Sequence, residues 1–281
     1  MRVIPAEAVI DAVSRLCIEA ATQLPPDVRA ALEQAVKTED SPRPQTLLRQ
    51  CLENAMIAAQ CNDPICQDTG VAVYFVEIGA EVILSGGTLV DAINEGTRRG
   101  YRDGFLRKSI VADPLFERKN TGDNTPAVIH IDLVQGETFS ITLLPKGGGC
   151  ENMSALAMLK PADGPEGVVD FVVDTVVRSG GRPCPPVIVG VGIGGTADKA
   201  SHLAKKALLR PVGSKHADPR YSELEETILR QLNDSGVGPQ GLGGRTTALA
   251  VHIETFPCHI ASLPVAVNIN CHAARKMKTI V

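Results

Sequence analysis

The chain has no tryptophan, and aromatic residues make up only 3% of its 281 positions. Stacking platforms of the kind that grip single-stranded nucleic acid are therefore not expected. Basic runs are missing as well. The formal net charge is −4, and lysine and arginine nowhere cluster into a phosphate-binding stripe. No apolar stretch approaches the ~20 residues that cross a bilayer. The start, Met1-Arg2-Val3-Ile4-Pro5-Ala6-Glu7, lacks the long apolar core of a secretory signal. These absences argue against a nucleic-acid partner and against a membrane, and they predict a cytoplasmic protein. No C-x-x-C pair occurs among the eight cysteines, which argues against a structural zinc knuckle. Cytoplasmic thiols stay reduced, so these cysteines are core thiols, catalytic thiols or metal ligands.

Hydrophobic residues account for 44% of the chain and charged ones for 21%, an ordinary globular balance. The periodicity predicts a mixed α+β protein. A helical N-terminal region, about residues 1–62, packs on mixed sheets, and one domain spans 1–281. Apolar spacing predicts helices over 6–24, 27–37 (with Asp27 as a cap) and 41–60. Strands are predicted over 71–78 and 81–84, then a helix over 88–102. A hairpin is predicted over 127–144 around Gln135-Gly136-Glu137, followed by helices over 151–159 and 164–177. A strand over 187–190, a turn over 192–195, helices over 196–209 and 221–232, and strands over 248–253 and 265–269 complete the pattern.

Three cysteines stand in turn-like settings beside strands: Cys66 in Pro64-Ile65-Cys66-Gln67-Asp68-Thr69-Gly70, Cys184 in Pro183-Cys184-Pro185-Pro186, and Cys271 in Asn268-Ile269-Asn270-Cys271-His272. Spacing alone leaves two readings open. They are unrelated thiols, or they converge on one site, where soft thiolates favour iron–sulfur chemistry. Cys17, Cys51 and Cys61 lie on or beside apolar helical faces, and packing is expected for them. Gly190-Val191-Gly192-Ile193-Gly194-Gly195 matches the dinucleotide-binding pattern, but no acidic residue ends a second strand about 20 positions on. A tight turn offering amides to an anion is the expectation there. Lys146-Gly147-Gly148-Gly149 reads equally as a strand-to-helix turn and as a carboxylate seat. His259, Arg107 and Arg245 are each either structural or substrate-directed, the structural role being favoured for Arg245.

Taken in order, Cys66-Gln67-Asp68-Thr69-Gly70, Asn120 to Ala127, Lys146 to Gly149, Pro183 to Pro186, Gly192 to Thr196 and Pro264 to Cys271 resemble the α subunit of class I, iron–sulfur-dependent fumarate hydratases and the related L-tartrate dehydratases. The resemblance spans nearly the whole chain. It implies that Cys66, Cys184 and Cys271 ligate a [4Fe–4S] cluster. Asp68 and His259 would act in catalysis, and Gln67, Arg107 and the Gly148 amide would bind a small dicarboxylate. It further implies a separate β subunit carrying the remaining catalytic groups, in a heterotetramer or larger assembly. The reaction implied is hydration of fumarate to (S)-malate, with conversion of L-tartrate to oxaloacetate as the alternative. Members of this family tend to carry serine where Cys150 stands and to lack a cysteine at position 258.

Overall fold

A computed structural model describes all residues, 1–281, and bears out the mixed α+β class. The chain divides into two compact units. The first comprises residues 1–25, 55–148 and 275–281; the second comprises 26–54 and 149–274.

In the first unit, β1 (Arg2–Pro5) pairs in parallel with β3 (Val82–Ser85). Helix α1 (Ala6–Thr22) packs on α4 (Leu89–Asp103). The two axes approach closely because α4 carries glycine at its contact face. A Cβ on Gly96 or Gly100 would lie 2.6 Å from the Cβ of Val13 or Cys17. Beneath the helices runs a sheet of order β10-β5-β2-β4, built from β2 (Val71–Gly79), β4 (Val128–Val134), β5 (Phe139–Lys146) and β10 (Met277–Ile280). Ala72, Tyr74, Val76, Phe139, Ile141 and Leu143 turn one face of it into the core against Val9, Val13 and Leu16.

The predicted hairpin is corrected here. β4 and β5 do not pair with each other; β2 lies between them, parallel to β4 and antiparallel to β5. The reason is burial: five consecutive residues of β2, Ala72 to Val76, are buried, so this strand takes the middle. β4 carries His130 and Asp132 and goes to the edge.

In the second unit, the sheet order is β6-β9-β7-β8, from β6 (Ala155–Leu159), β7 (Val187–Gly194), β8 (Ala248–Phe256) and β9 (Leu263–Asn270). β7 and β8 are parallel, and β9 runs antiparallel to β7. Helices α6 (Gly164–Ser179) and α8 (Pro219–Asp234) supply Val168, Val172, Val176, Ile228 and Leu232 to the core on one face. Helix α7 (Ala197–Ala207) covers the other, placing Ala200 and Ala204 against Ala266. All eight residues of β7 are buried as a result.

Three sequence expectations fail in this unit. The helix expected over 151–159 does not form: a four-residue turn of helix, α5 (Gly148–Glu151), ends where it should begin and gives way to β6. Ala, Leu and Met favour a helix locally, but pairing with β9 overrides that preference. The turn expected over 192–195 is confined to its last residues, because the strand continues to Gly194. A Cβ on Gly190 or Gly192 would fall 2.0 Å from the carbonyl oxygen of Ala204 or Ala200. These glycines let α7 lie directly on the strand. Finally, Asp27 does not cap its helix: α2 starts at Pro26 (Pro26–Thr38), and the Asp27 carboxylate accepts a hydrogen bond from the Val212 amide at 2.8 Å. Arg245 takes its structural role, its Nε 2.9 Å from Asp40. No helix is long and apolar enough to cross a membrane.

Candidate active site

In the first unit the site begins where β2 starts and β5 ends. The antiparallel register sets Val71 opposite Lys146, so the Cys66–Gly70 turn and the Lys146–Gly148 turn share one end of the sheet. The Asp68 carboxylate joins them: Oδ1 accepts from the Gly70 amide at 3.0 Å and Oδ2 from the Gly148 amide at 2.7 Å. The Gly148 amide expected to face substrate is thus directed at Asp68. Cys66 is half-buried, with Sγ 3.4 Å from Oε1 of the exposed Gln67. The Arg107 carbonyl accepts from Thr69 Oγ1 at 2.9 Å, which fixes Arg107 beside the turn with its side chain exposed.

Residues that sequence reasoning did not single out hold this turn. Tyr101, buried on α4, donates to the carbonyls of Thr69 and Gly70 at 3.1 and 3.0 Å. Burial raises its phenol pKa far above the usual range. Asn124 Nδ2 donates to the Gly70 carbonyl, and Arg275 Nη2 donates to the Asp68 carbonyl at 2.8 Å. Arg275 is buried, and its Nε and Nη1 have no hydrogen-bond partner. Its sequence signal was slight: a cation four residues after Cys271.

In the second unit, Cys184 lies three residues before β7 and Cys271 immediately follows β9. The register Ile188↔Asn270 brings these two segments to the same sheet end. They are hydrogen-bonded: the Cys184 carbonyl lies 3.4 Å from the His272 amide and 3.0 Å from its Nδ1. Gln240 Nε2 lies 3.1 Å from the same Nδ1 and donates to the Pro185 carbonyl at 2.9 Å. Burial disfavours the His272 cation, but a hydrogen bond to Cys51 and the charges of Cys271 and Cys51 outweigh it and raise the imidazole to about 9. Cys51 therefore contributes to this end of the sheet rather than to packing alone, and Cys61 is exposed, contrary to expectation. Cys17 is buried, as expected. Cys184 itself is exposed and sits at φ +54°, a left-handed conformation that a non-glycine residue adopts at a cost of about 1–3 kcal/mol and that clusters at functional sites. Cys150 is buried against the Pro183 carbonyl, 3.4 Å away.

His259 lies elsewhere. It follows β8, which runs parallel to β7, and it precedes β9. The eight residues of β9 separate it from Cys271 by about 26 Å at strand rise. A single chain does not bring His259 to Cys184 and Cys271. Its Nδ1 accepts from the Ala261 amide at 3.1 Å, so the neutral ring carries its proton on Nε2, and the residue is exposed.

None of the eight cysteines is in a disulfide. No group of three or more His, Cys, Asp or Glu side chains stands ready-made for a metal ion. As ligands, thiolates suit a soft metal rather than Mg²⁺ or Ca²⁺.

Comparison with known proteins decides the family. The family model for fumarate hydratase (Fumerase) matches residues 10–280. The chain belongs to this family of hydro-lyases. It is 45% identical over 270 residues to the putative L(+)-tartrate dehydratase subunit alpha of Methanocaldococcus jannaschii, covering 95% of each chain. It is 36% identical over 260 residues to the L(+)-tartrate dehydratase subunit alpha of Escherichia coli K12, covering 91% of this chain and 84% of that one. The protein of the same name from Shigella sonnei matches to the same extent.

Proposed function

We propose that this chain is the α subunit of a two-subunit hydro-lyase that dehydrates L(+)-tartrate to oxaloacetate. The observation that carries the substrate is the 45% identity, over 95% of both chains, to a protein named for that activity. Cys66, Cys184 and Cys271 are the residues that would hold a [4Fe–4S] cluster, which when bound supplies a Lewis-acidic iron for the departing hydroxyl. The hydrogen-bonded meeting of the Cys184 and Cys271 segments supports this assignment for two of the three.

The chain's own residues bind and orient. Arg107, exposed beside the Thr69 turn, offers a bidentate clamp for a substrate carboxylate. Gln67 extends an exposed amide for a hydroxyl or carboxylate oxygen. Asp68, fixed by the Gly70 and Gly148 amides, orients substrate and relays a proton to the departing hydroxyl. Reaction removes one C–H proton and breaks the C–O bond at the neighbouring carbon. Water leaves, and the resulting enol rearranges to the keto acid. The base for the C–H proton belongs to the β subunit.

Assay of the αβ complex, purified without oxygen, tests the substrate. The expected result is a kcat/KM for L-tartrate at least tenfold above that for fumarate or malate. The reverse ratio would overturn the tartrate assignment in favour of fumarate hydration, which the matched family model's description favours. Iron and sulfide analysis of the same preparation tests the cluster separately. Cys184→Ala should lose iron and Cys17→Ala should retain it.

A further inference from the structure

β4 ends its sheet, so one of its backbone edges has no strand partner within the chain. Proteins usually protect such an edge by shortening it or by adding lysine, proline or a bulge. β4 has seven residues, Val128-Ile129-His130-Ile131-Asp132-Leu133-Val134, with no lysine, proline or glycine. It also leaves apolar side chains in the open: Val128 is 42% exposed, Ile131 46% and Leu133 83%.

The order of these residues is nearly a palindrome about Ile131. An antiparallel pairing of two copies, with a two-fold axis at Ile131, sets Val128 opposite Val134 and Ile129 opposite Leu133. It sets His130 opposite Asp132 twice, once on each side of the axis. Other registers fail. An axis at Asp132 faces that carboxylate with its own copy, and an axis at His130 sets Asp132 against Val128. Parallel in-register pairing also faces like charge with like. A one-residue slip sets Asp132 against Ile129. Directly opposed pairs are the unit of sheet stabilisation, so this strand specifies one register on itself. The His130 ring is held 4.9 Å from that of Phe75, on the strand next to it.

We infer that β4 is an isologous contact at which two copies of this chain join, continuing one four-stranded sheet into the other. The inference does not depend on the substrate or the cluster. It gives the two α copies that a heterotetramer needs.

A cysteine on the axis tests it directly, using the full chain under mild oxidation. Ile131→Cys should give a disulfide-linked dimer well above the background of the parent chain, because residue 131 faces its own copy at roughly 4.5–5.5 Å between Cβ atoms. Leu133→Cys, placed opposite Ile129, should stay at background. In sedimentation, Asp132→Lys should weaken dimerisation at least tenfold, and adding His130→Asp should restore it by setting a carboxylate opposite the new lysine. That restoration separates a lost contact from a lost fold. Background-level cross-linking of Ile131→Cys, or dimerisation indifferent to Asp132→Lys, would overturn the inference.

Discussion

Replacing Gly192 by alanine tests what the glycine-rich strand does. An added Cβ would lie 2.0 Å from the Ala200 carbonyl oxygen, 2.6 Å from the Ala204 amide nitrogen and 2.8 Å from the Leu203 Cβ. Two of those three atoms are backbone, so no rotamer change relieves the clash. Helix α7 would have to lift by about 1 Å or more to restore ordinary contact distance. It would then pull Ala200 and Ala204 off Ala266. Overpacking of a close-packed core costs about 1–3 kcal/mol, and a rigid backbone contact belongs at the top of that range. The expected loss is therefore about 3 kcal/mol, or roughly 6–12 °C in Tm for a chain of this size. Urea titration measures it, with Gly87→Ala as control. Gly87 is exposed, and its nearest new contact would be the Ala6 Cβ at 3.4 Å, so its change should stay within about 0.5 kcal/mol. If Gly192→Ala cost less than about 1 kcal/mol, the packing argument would fail. Loss of NAD binding in a variant of unchanged stability would restore the dinucleotide reading.

Three further outcomes are expected. Glu225 is buried, pairs with the part-buried Arg210 at 2.6 Å and accepts from the Ile253 amide at 2.7 Å, so Glu225→Ala should take away that cation's counter-charge and a buried amide's acceptor and cost about 3 kcal/mol in denaturant melts. Burial pushes the Cys17 thiol up to about 12, so near pH 8 only about one molecule in ten thousand carries the thiolate. Timed alkylation with mass mapping should therefore label exposed Cys184 and Cys258 long before Cys17, and comparable rates would contradict the buried placement. Arg275→Met should change stability by no more than about 1 kcal/mol, because the lost bond to the Asp68 carbonyl is offset by removing two buried, unpartnered donors. It should nonetheless release the Cys66–Gly70 turn, read as faster amide exchange there and at least about tenfold lower kcat/KM of the αβ complex. A stable variant with both unchanged would show that the Asp68 contact does not position the turn.

Periodicity in the sequence carried most of the elements. The N-terminal helices α1, α2 and α3 (Pro42–Cys61), with α4, α6, α7, α8 and the strands around residues 71, 187, 248 and 265, all lie close to where apolar spacing placed them, because each buries one face against a neighbour. The short β1 and β10 gave no such signal, since four residues hold too little pattern. Among the candidate site residues, Cys66, Cys184 and Cys271 stood out for their polar turns beside strands. The residues that hold those turns were not legible. Tyr101, Asn124, Arg275 and Gln240 reach them from distant parts of the chain, and nothing local distinguishes them from packing or surface groups.

The sequence by itself determined the mixed class, the helix positions and the motifs that mark the family, since these depend on local spacing and residue type. Tertiary structure alone decided strand order and partnership. β2 displaced β5 from β4, pairing with β9 turned a helix-prone segment into β6, and α7 turned a dinucleotide-like pattern into a packing surface. Those outcomes rest on which faces are buried by elements far away in the chain, a quantity that no local window contains.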